Sequence, residues 1–169
     1  MEPERGIEGI LGALVDAEVD FIVIGGVAVG WHGFVRATKD VDVVPDPDPA
    51  NLTRLAELLR DLGAEVDGAE DFDRGELPDP TDPAVLELGG NWVLRTRLGR
   101  LDLMQVQGEI DLWEKLAGGA LDGELNERPI RVCSYEDLVD LKRDAGRPQD
   151  LVDVEQLEIA RGRAPQEDG

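Results

Sequence analysis

Apolar residues at Ile7, Ile10, Leu11, Leu14 and Val15 recur every three or four positions, so residues 5–19 are expected to form an amphipathic helix. The continuous run Phe21 to Ile24 then reads as a short buried strand, closed by Gly25 and Gly26. VAVGWHGF follows as a short helix and VDVV as a second strand. The clearest helix signal is PDPDPANLTRLAELLRDLG. Asp48 stands as N-cap, Pro49 at the first helical position, Leu52, Leu55, Leu58, Leu59 and Leu62 on one face, and Gly63 at the end. Residues 67–83 combine acids, prolines and glycines with little to bury, and are expected to form a mobile acidic surface loop. From Ala84 the pattern predicts strands: AVLEL, NWVLRTRL, a turn at Gly99-Arg100, then LDLMQV. DLWEKLAGG reads as a short helix or turn and RPIRVC as a further strand. SYEDLVDLKRDAG is a helix capped by Ser134, with Asp137 in the capping-box position and Gly146 near its stop. Pro148 opens a final helix through Ala160. These elements add up to one α+β unit over residues 1–162, with 163–169 as a flexible tail.

Within this pattern one stretch is chemically unusual. Asp40 and Asp42 alternate with valines in the second strand, so both carboxylates share one face while Val41 and Val43 share the other. Burying carboxylates without a partner is costly. A hard divalent cation, Mg²⁺ or Mn²⁺, is a partner that a few carboxylates hold while water and substrate phosphates complete its shell. Asp102 sits in another apolar strand and supplies a third carboxylate if the two strands are neighbours. Asp71 and Asp73 repeat the spacing inside the 67–83 loop without β-branched neighbours, and serve as a control: they are expected to be merely solvated. Gly25 and Gly26, lacking side chains, allow the backbone to approach a phosphate closely.

Composition narrows the partners. The formal net charge of −21 argues against a broad phosphate-tracking surface, since nonspecific nucleic-acid binding draws on clustered Lys and Arg. A small nucleotide held through metal ions is compatible with it. Cys133 is the only cysteine, so neither an intrachain disulfide nor a cysteine-based zinc site is expected. The opening MEPERG has no signal-like pattern, and no apolar run approaches the roughly 18 residues of a membrane span. A cytoplasmic protein without membrane contact is the expectation.

The stretch IGGVAVGWHGFVRATKDVDVV, followed by GRLDLMQV and DLVDLKRDAGRPQDLVDVEQLE, resembles the nucleotidyltransferases of the DNA polymerase beta superfamily. The likeness is to the minimal branch that includes AbiEii-like toxin nucleotidyltransferases. The resemblance implies a small mixed β-sheet flanked by helices with a C-terminal helical pair. It implies transfer of a nucleoside monophosphate from a nucleoside triphosphate to a hydroxyl-type acceptor on a protein, an RNA such as tRNA, or a small molecule. It assigns Asp40 and Asp42 as catalytic metal ligands, with Asp102 completing the site as ligand or general base, and Gly25, Gly26, Lys142 and Asp150 to the nucleotide; Arg36 and Lys39 flank the site, where they can neutralise triphosphate oxygens. A cognate toxin or antitoxin would be a partner. Many members carry Gly-Ser where this chain has Gly25-Gly26, so the alternative is a catalytically weak or inactive nucleotide-binding module acting through protein partners. Several residues have simpler roles open to them. His32 can bond a carbonyl near a helix end, Arg36 and Lys39 can pair with acids, and Lys142 with Asp150 can form an interhelical salt bridge. Arg95 and Arg97 can lie on an exposed sheet face, and Trp31, Trp92 and Trp113 can anchor packing.

Overall fold

In the computed structural model, which describes residues 5–73 and 75–163, the chain runs α1 (Gly6–Asp16), β1 (Phe21–Ile24), α2 (Gly25–Trp31), β2 (Asp40–Pro45) and α3 (Pro49–Asp61). Next come β3 (Glu65–Val66), a 3₁₀ turn (Ala69–Asp71), α4 (Pro83–Glu87), β4 (Asn91–Thr96) and β5 (Gly99–Met104). A small ribbon of β6 (Val106–Gln107) and β7 (Ile110–Asp111) leads into α5 (Leu112–Leu116), β8 (Leu121–Leu125) and β9 (Arg128–Val132). Two helices, α6 (Tyr135–Ala145) and α7 (Pro148–Arg163), complete it. Most of the expected tail, 164–169, lies outside the described residues.

Seven strands form one mixed sheet in the order β3-β4-β5-β2-β1-β9-β8. β2 runs parallel to β5 and β1 parallel to β9, while the remaining neighbours are antiparallel. The two-residue alternation of β2 and β5 decides which side is core. Val41, Val43, Leu101 and Leu103 are buried and belong to the same apolar cluster as Ile10, Leu11 and Leu14 of α1 and Leu52, Leu55 and Leu59 of α3. Asp40, Asp42 and Asp102 therefore emerge on the opposite face. Helix α3 begins where its caps dictate, with Asp48 Oδ1 accepting from the Ala50 amide at 2.9 Å. Ser134 Oγ caps α6 in the same way, accepting from the Asp137 amide at 3.1 Å.

Three local expectations are corrected and one strand is added. AVLEL is a helix rather than a strand: Asp82 Oδ1 accepts from the Ala84 amide at 3.0 Å and Pro83 supplies the first helical φ, the same start signal as Asp48-Pro49. The hairpin turn falls on Arg97-Leu98, because Thr96 pairs with Gly99 and its hydroxyl accepts from the amides of Leu98 and Gly99. Helix α2 starts at Gly25 itself rather than after the glycine pair. Finally, Leu121–Leu125 forms an additional edge strand, joined to β9 by Asn126-Glu127, both at positive φ as a two-residue hairpin requires. The 67–83 segment is largely exposed, but its start is tied to the sheet through the Asp67 amide, which donates to Val93 O at 2.8 Å.

Candidate active site

The parallel register of β2 and β5 sets Asp42 directly opposite Asp102 and Asp40 opposite Arg100. The two central carboxylates meet below Gly25, the first residue of α2. Gly25 has φ +67°, and a Cβ there would fall 2.0 Å from Asp42 Oδ2, so glycine is demanded both by the backbone and by the carboxylate beside it. Gly26 serves a different purpose. It is buried, and a Cβ on it would meet Thr38 Oγ1 at 2.7 Å, so its missing side chain makes room for the segment before β2.

Asp42, Asp102 and Gly25 line one side of a cavity of about 360 Å³, and Lys142, Arg147 and Asp150 line the other. Burial pushes the Asp102 carboxyl up to about 7, reinforced by the charge of Asp42 and then of Asp40, with Arg100 opposing. Asp42 is raised as well, chiefly by burial. Lys142 and Arg147 pull it in the other direction. Asp102 Oδ1 is buried with no hydrogen-bond partner, an uncompensated acceptor in a carboxylate pair. Asp40 is turned to Arg100, whose Nε lies 3.3 Å from Asp40 Oδ1. Among the described residues no three His, Cys, Asp or Glu side chains stand together in metal-holding geometry. Asp42 and Asp102 supply two hard oxygen donors, with Asp40 one step along the same face.

Across the cavity the buried Lys142, Asp150 and Asp153 are linked outward to the half-buried Arg36 and the exposed Arg147. Lys142 Nζ is 3.1 Å from Asp150 Oδ1 and 3.1 Å from Asp153 Oδ2. Arg36 grips Asp153 with both arms of its guanidinium, Nε to Oδ1 at 2.8 Å and Nη2 to Oδ2 at 2.9 Å. Arg147 Nε donates to Asp150 Oδ2 at 2.7 Å. Burial works to raise both aspartates, yet hydrogen bonds from Arg147 and Lys142 to Asp150, and from Arg36, Gln149 and Lys142 to Asp153, outweigh it. Both carboxyls stay below the ordinary carboxylate range.

Of the residues singled out from sequence, Gly25, Asp42, Asp102, Lys142 and Asp150 therefore border one cavity. Arg36 is committed to Asp153, Lys39 is exposed just ahead of β2, and Gly26 packs behind the site. His32 takes the structural role, with Nε2 2.8 Å from Cys133 O. Arg95 pairs with Asp67 and Glu70 on the sheet face. Asp71 and Asp73 are exposed, as expected of the control pair. Sequence reasoning missed Asp153 and Arg147. Asp153 follows Asp150 by three positions on α7, and that spacing on one helix face was the available signal. Arg147, in the link between α6 and α7, carried none.

No family model matches the sequence, and no curated protein does. Solved structures do resemble the fold. A lincosamide antibiotic adenylyltransferase, LnuA, crystallised with lincomycin, superposes with a TM-score of 0.57 at 16% identity, covering 88% of this chain and 92% of that one. ANT(2")-Ia in complex with adenylyl-2"-tobramycin gives 0.52 at 16% identity over 90% and 91% of the two chains. An antigenic nucleotidyltransferase-like protein from Paracoccidioides brasiliensis gives 0.51 at 18% identity over 89% and 72%. The chain has the nucleotidyltransferase fold: an α+β unit with a mixed sheet, flanking helices and a C-terminal helical pair. Among the described residues no helix is long and apolar enough to cross a membrane.

Proposed function

We propose that the chain is a Mg²⁺- or Mn²⁺-dependent nucleotidyltransferase that moves a nucleoside monophosphate from a nucleoside triphosphate to a hydroxyl-type acceptor. The observation that carries this is the Asp42–Asp102 pair. Two strands bring carboxylates side by side under Gly25, both raised by burial, one with an unpartnered oxygen. A hard divalent cation is the partner that such a pair fits, with Asp40 available alongside. When bound, the cation neutralises phosphate charge and aligns the reacting oxygens.

The chain's own residues supply the rest. Gly25, lacking a side chain, lets the Asp42 carboxylate pack directly against the main chain at the head of α2. Lys142 and Arg147, on the opposite wall, offset triphosphate charge and are oriented by Asp150. Arg36 acts through Asp153, which fixes Lys142, while Lys39 is free to meet the outer phosphates. The acceptor hydroxyl oxygen forms a bond to the α-phosphorus, the bond from that phosphorus to the bridging oxygen breaks, and pyrophosphate leaves. Asp102, beside Asp42 on the neighbouring strand, completes the site as a metal ligand or as the base that takes up the hydroxyl proton. Among acceptors, a small molecule is favoured over a protein or tRNA, because the LnuA structure holds lincomycin and that of ANT(2")-Ia an adenylylated tobramycin. A second reading has its own support. Gly26 packs on Thr38 and offers no side chain to the cavity, which suits a weak or inactive nucleotide-binding module in a toxin-antitoxin type system.

Incubation with each NTP labelled at the α-phosphate, with Mg²⁺ or Mn²⁺ and a panel of acceptors, separates the two. Label should reach an acceptor in the parent and fall by more than about 100-fold in Asp42→Asn, exceeding what loss of an indirect metal contact costs. Nucleotide binding without transfer in the parent supports the module.

A further inference from the structure

Asp40 shares its sheet face with Asp42 and Asp102, yet it is the one acid of the three already bonded to a cationic side chain. Arg100, its partner across the parallel β2–β5 ladder, brings Nε to 3.3 Å from Asp40 Oδ1. The same guanidinium reaches a second carboxylate, with Nη2 3.3 Å from Asp67 Oδ2. Asp67 is a fixed seat. Its amide donates to Val93 O at 2.8 Å, and its other oxygen, Oδ1, lies 3.2 Å from Arg95 Nε.

The geometry points to Arg100 as a positioning residue that competes with the divalent cation for Asp40 and sets how readily that carboxylate joins the metal site. This rests on the nucleotidyltransferase reading of the Asp42–Asp102 pair. Arg100 holds the Asp40 carboxylate turned toward itself and offsets its charge, and both effects weaken its pull on a cation at Asp42 and Asp102. Arg100 and Asp40 are both partly exposed, so their pair is of the solvent-screened kind that exchanges at small cost. Because Asp67 holds the other arm, Arg100 stays anchored when it releases Asp40. Asp40 then turns toward Asp42 and Asp102 while Arg100 leans on the Asp67–Arg95 end of the network. The exchange moves no chain segment. It is a swap of partners on one sheet face.

The test is Mn²⁺ affinity of the full chain, read by electron paramagnetic resonance of free Mn²⁺ without nucleotide. Parent, Arg100→Gln, Arg100→Lys and Arg95→Gln are compared, with circular dichroism verifying that each is folded. Arg100→Gln should bind Mn²⁺ about three- to five-fold more tightly, the release expected from one surface ion pair. Arg100→Lys restores a cation beside Asp40 and should return affinity toward the parent. Arg95→Gln removes the same charge one strand away, where it bonds Asp67 and not Asp40, and should raise affinity by a clearly smaller factor than Arg100→Gln because it acts on Asp40 only through Asp67. Unchanged or weakened binding in Arg100→Gln, or an equal gain in Arg95→Gln, overturns the competition and leaves the cation site standing. Absence of Mn²⁺ binding in parent and variants alike removes the cation site, and the competition with it.

Discussion

At Asp102 the requirements of chemistry and stability pull apart. Its carboxyl has an ordinary value of 3.8 in an open chain and about 7 in the fold, where burial and the Asp42 charge oppose ionisation. Between those values the folded protein holds more protons than the unfolded chain, so the contribution of this group to stability declines as pH rises from about 4 to about 7. Asp150 and Asp153 have the opposite sign. Their lowered values stabilise the fold above the open-chain value and lose that contribution as pH falls toward and below it. With chelator present, Asp102→Asn should therefore raise the thermal midpoint by about 2–4 °C at pH 8, the scale of roughly 1 kcal/mol in a domain of this size. The gain should shrink toward pH 5, and differential scanning calorimetry across that range measures it. The acid pair itself was legible, because the alternation of DVDVV and LDLMQV assigns the carboxylates to one side of each strand. The ion pairs were not. Arg100 with Asp40, and Arg36 with Asp153, join residues 60 and 117 positions apart, and only the β2–β5 register and the docking of α7 bring them together.

Elements α6 and α7 are joined to the segment before β2 through one buried carboxylate. Asp153 is fully buried and receives Arg36 from the segment before β2 and Lys142 from α6, with Gln149 of its own helix beside them, so it ties α7 to two other parts of the chain. Replacing it with asparagine removes the counter-charge of Arg36 and one of the two counter-charges of the buried Lys142. Asp153→Asn should cost about 3 kcal/mol, the lower end for breaking a buried pair from one side, measured by urea unfolding. Nucleotide affinity should fall with it as Lys142 loses its orientation. At this scale the sequence was readable wherever termini were signalled by chemistry. Asp48-Pro49, Ser134 with Asp137, and Gly146 at φ +63° delimit α3 and α6. AVLEL misled because five residues, mostly apolar, fit a strand as well as a single helical turn, although Asp82-Pro83 carried the deciding signal. Strand β8 was hidden for a different reason. LDGEL has only two large apolar residues and lies on a sheet edge, and its turn, Asn126-Glu127, adopts positive φ without a glycine to announce it.

For the molecule as a whole, 38 acidic against 17 basic side chains leave a formal net charge of −21. Such a field repels polyanions at long range and draws cations toward the surface. The cations lining the cavity do not reverse it, because Lys142 and Arg147 are already bonded to Asp150 and Asp153. Acceptors should therefore be sorted by charge before they reach the carboxylates. A polycationic small acceptor should show a kcat/KM that falls several-fold, up to about ten-fold, as salt is raised from about 50 to about 200 mM and the Debye length contracts. An RNA acceptor should show the reverse, slow at low salt and faster as repulsion is screened, which is opposite in sign to the behaviour of a basic nucleic-acid-binding protein. Measuring both slopes on the same preparation separates the acceptor classes even when absolute rates are low. A falling slope for RNA would mean that cations at the mouth of the cavity, Lys142 and Arg147, outweigh the net charge at the point of entry.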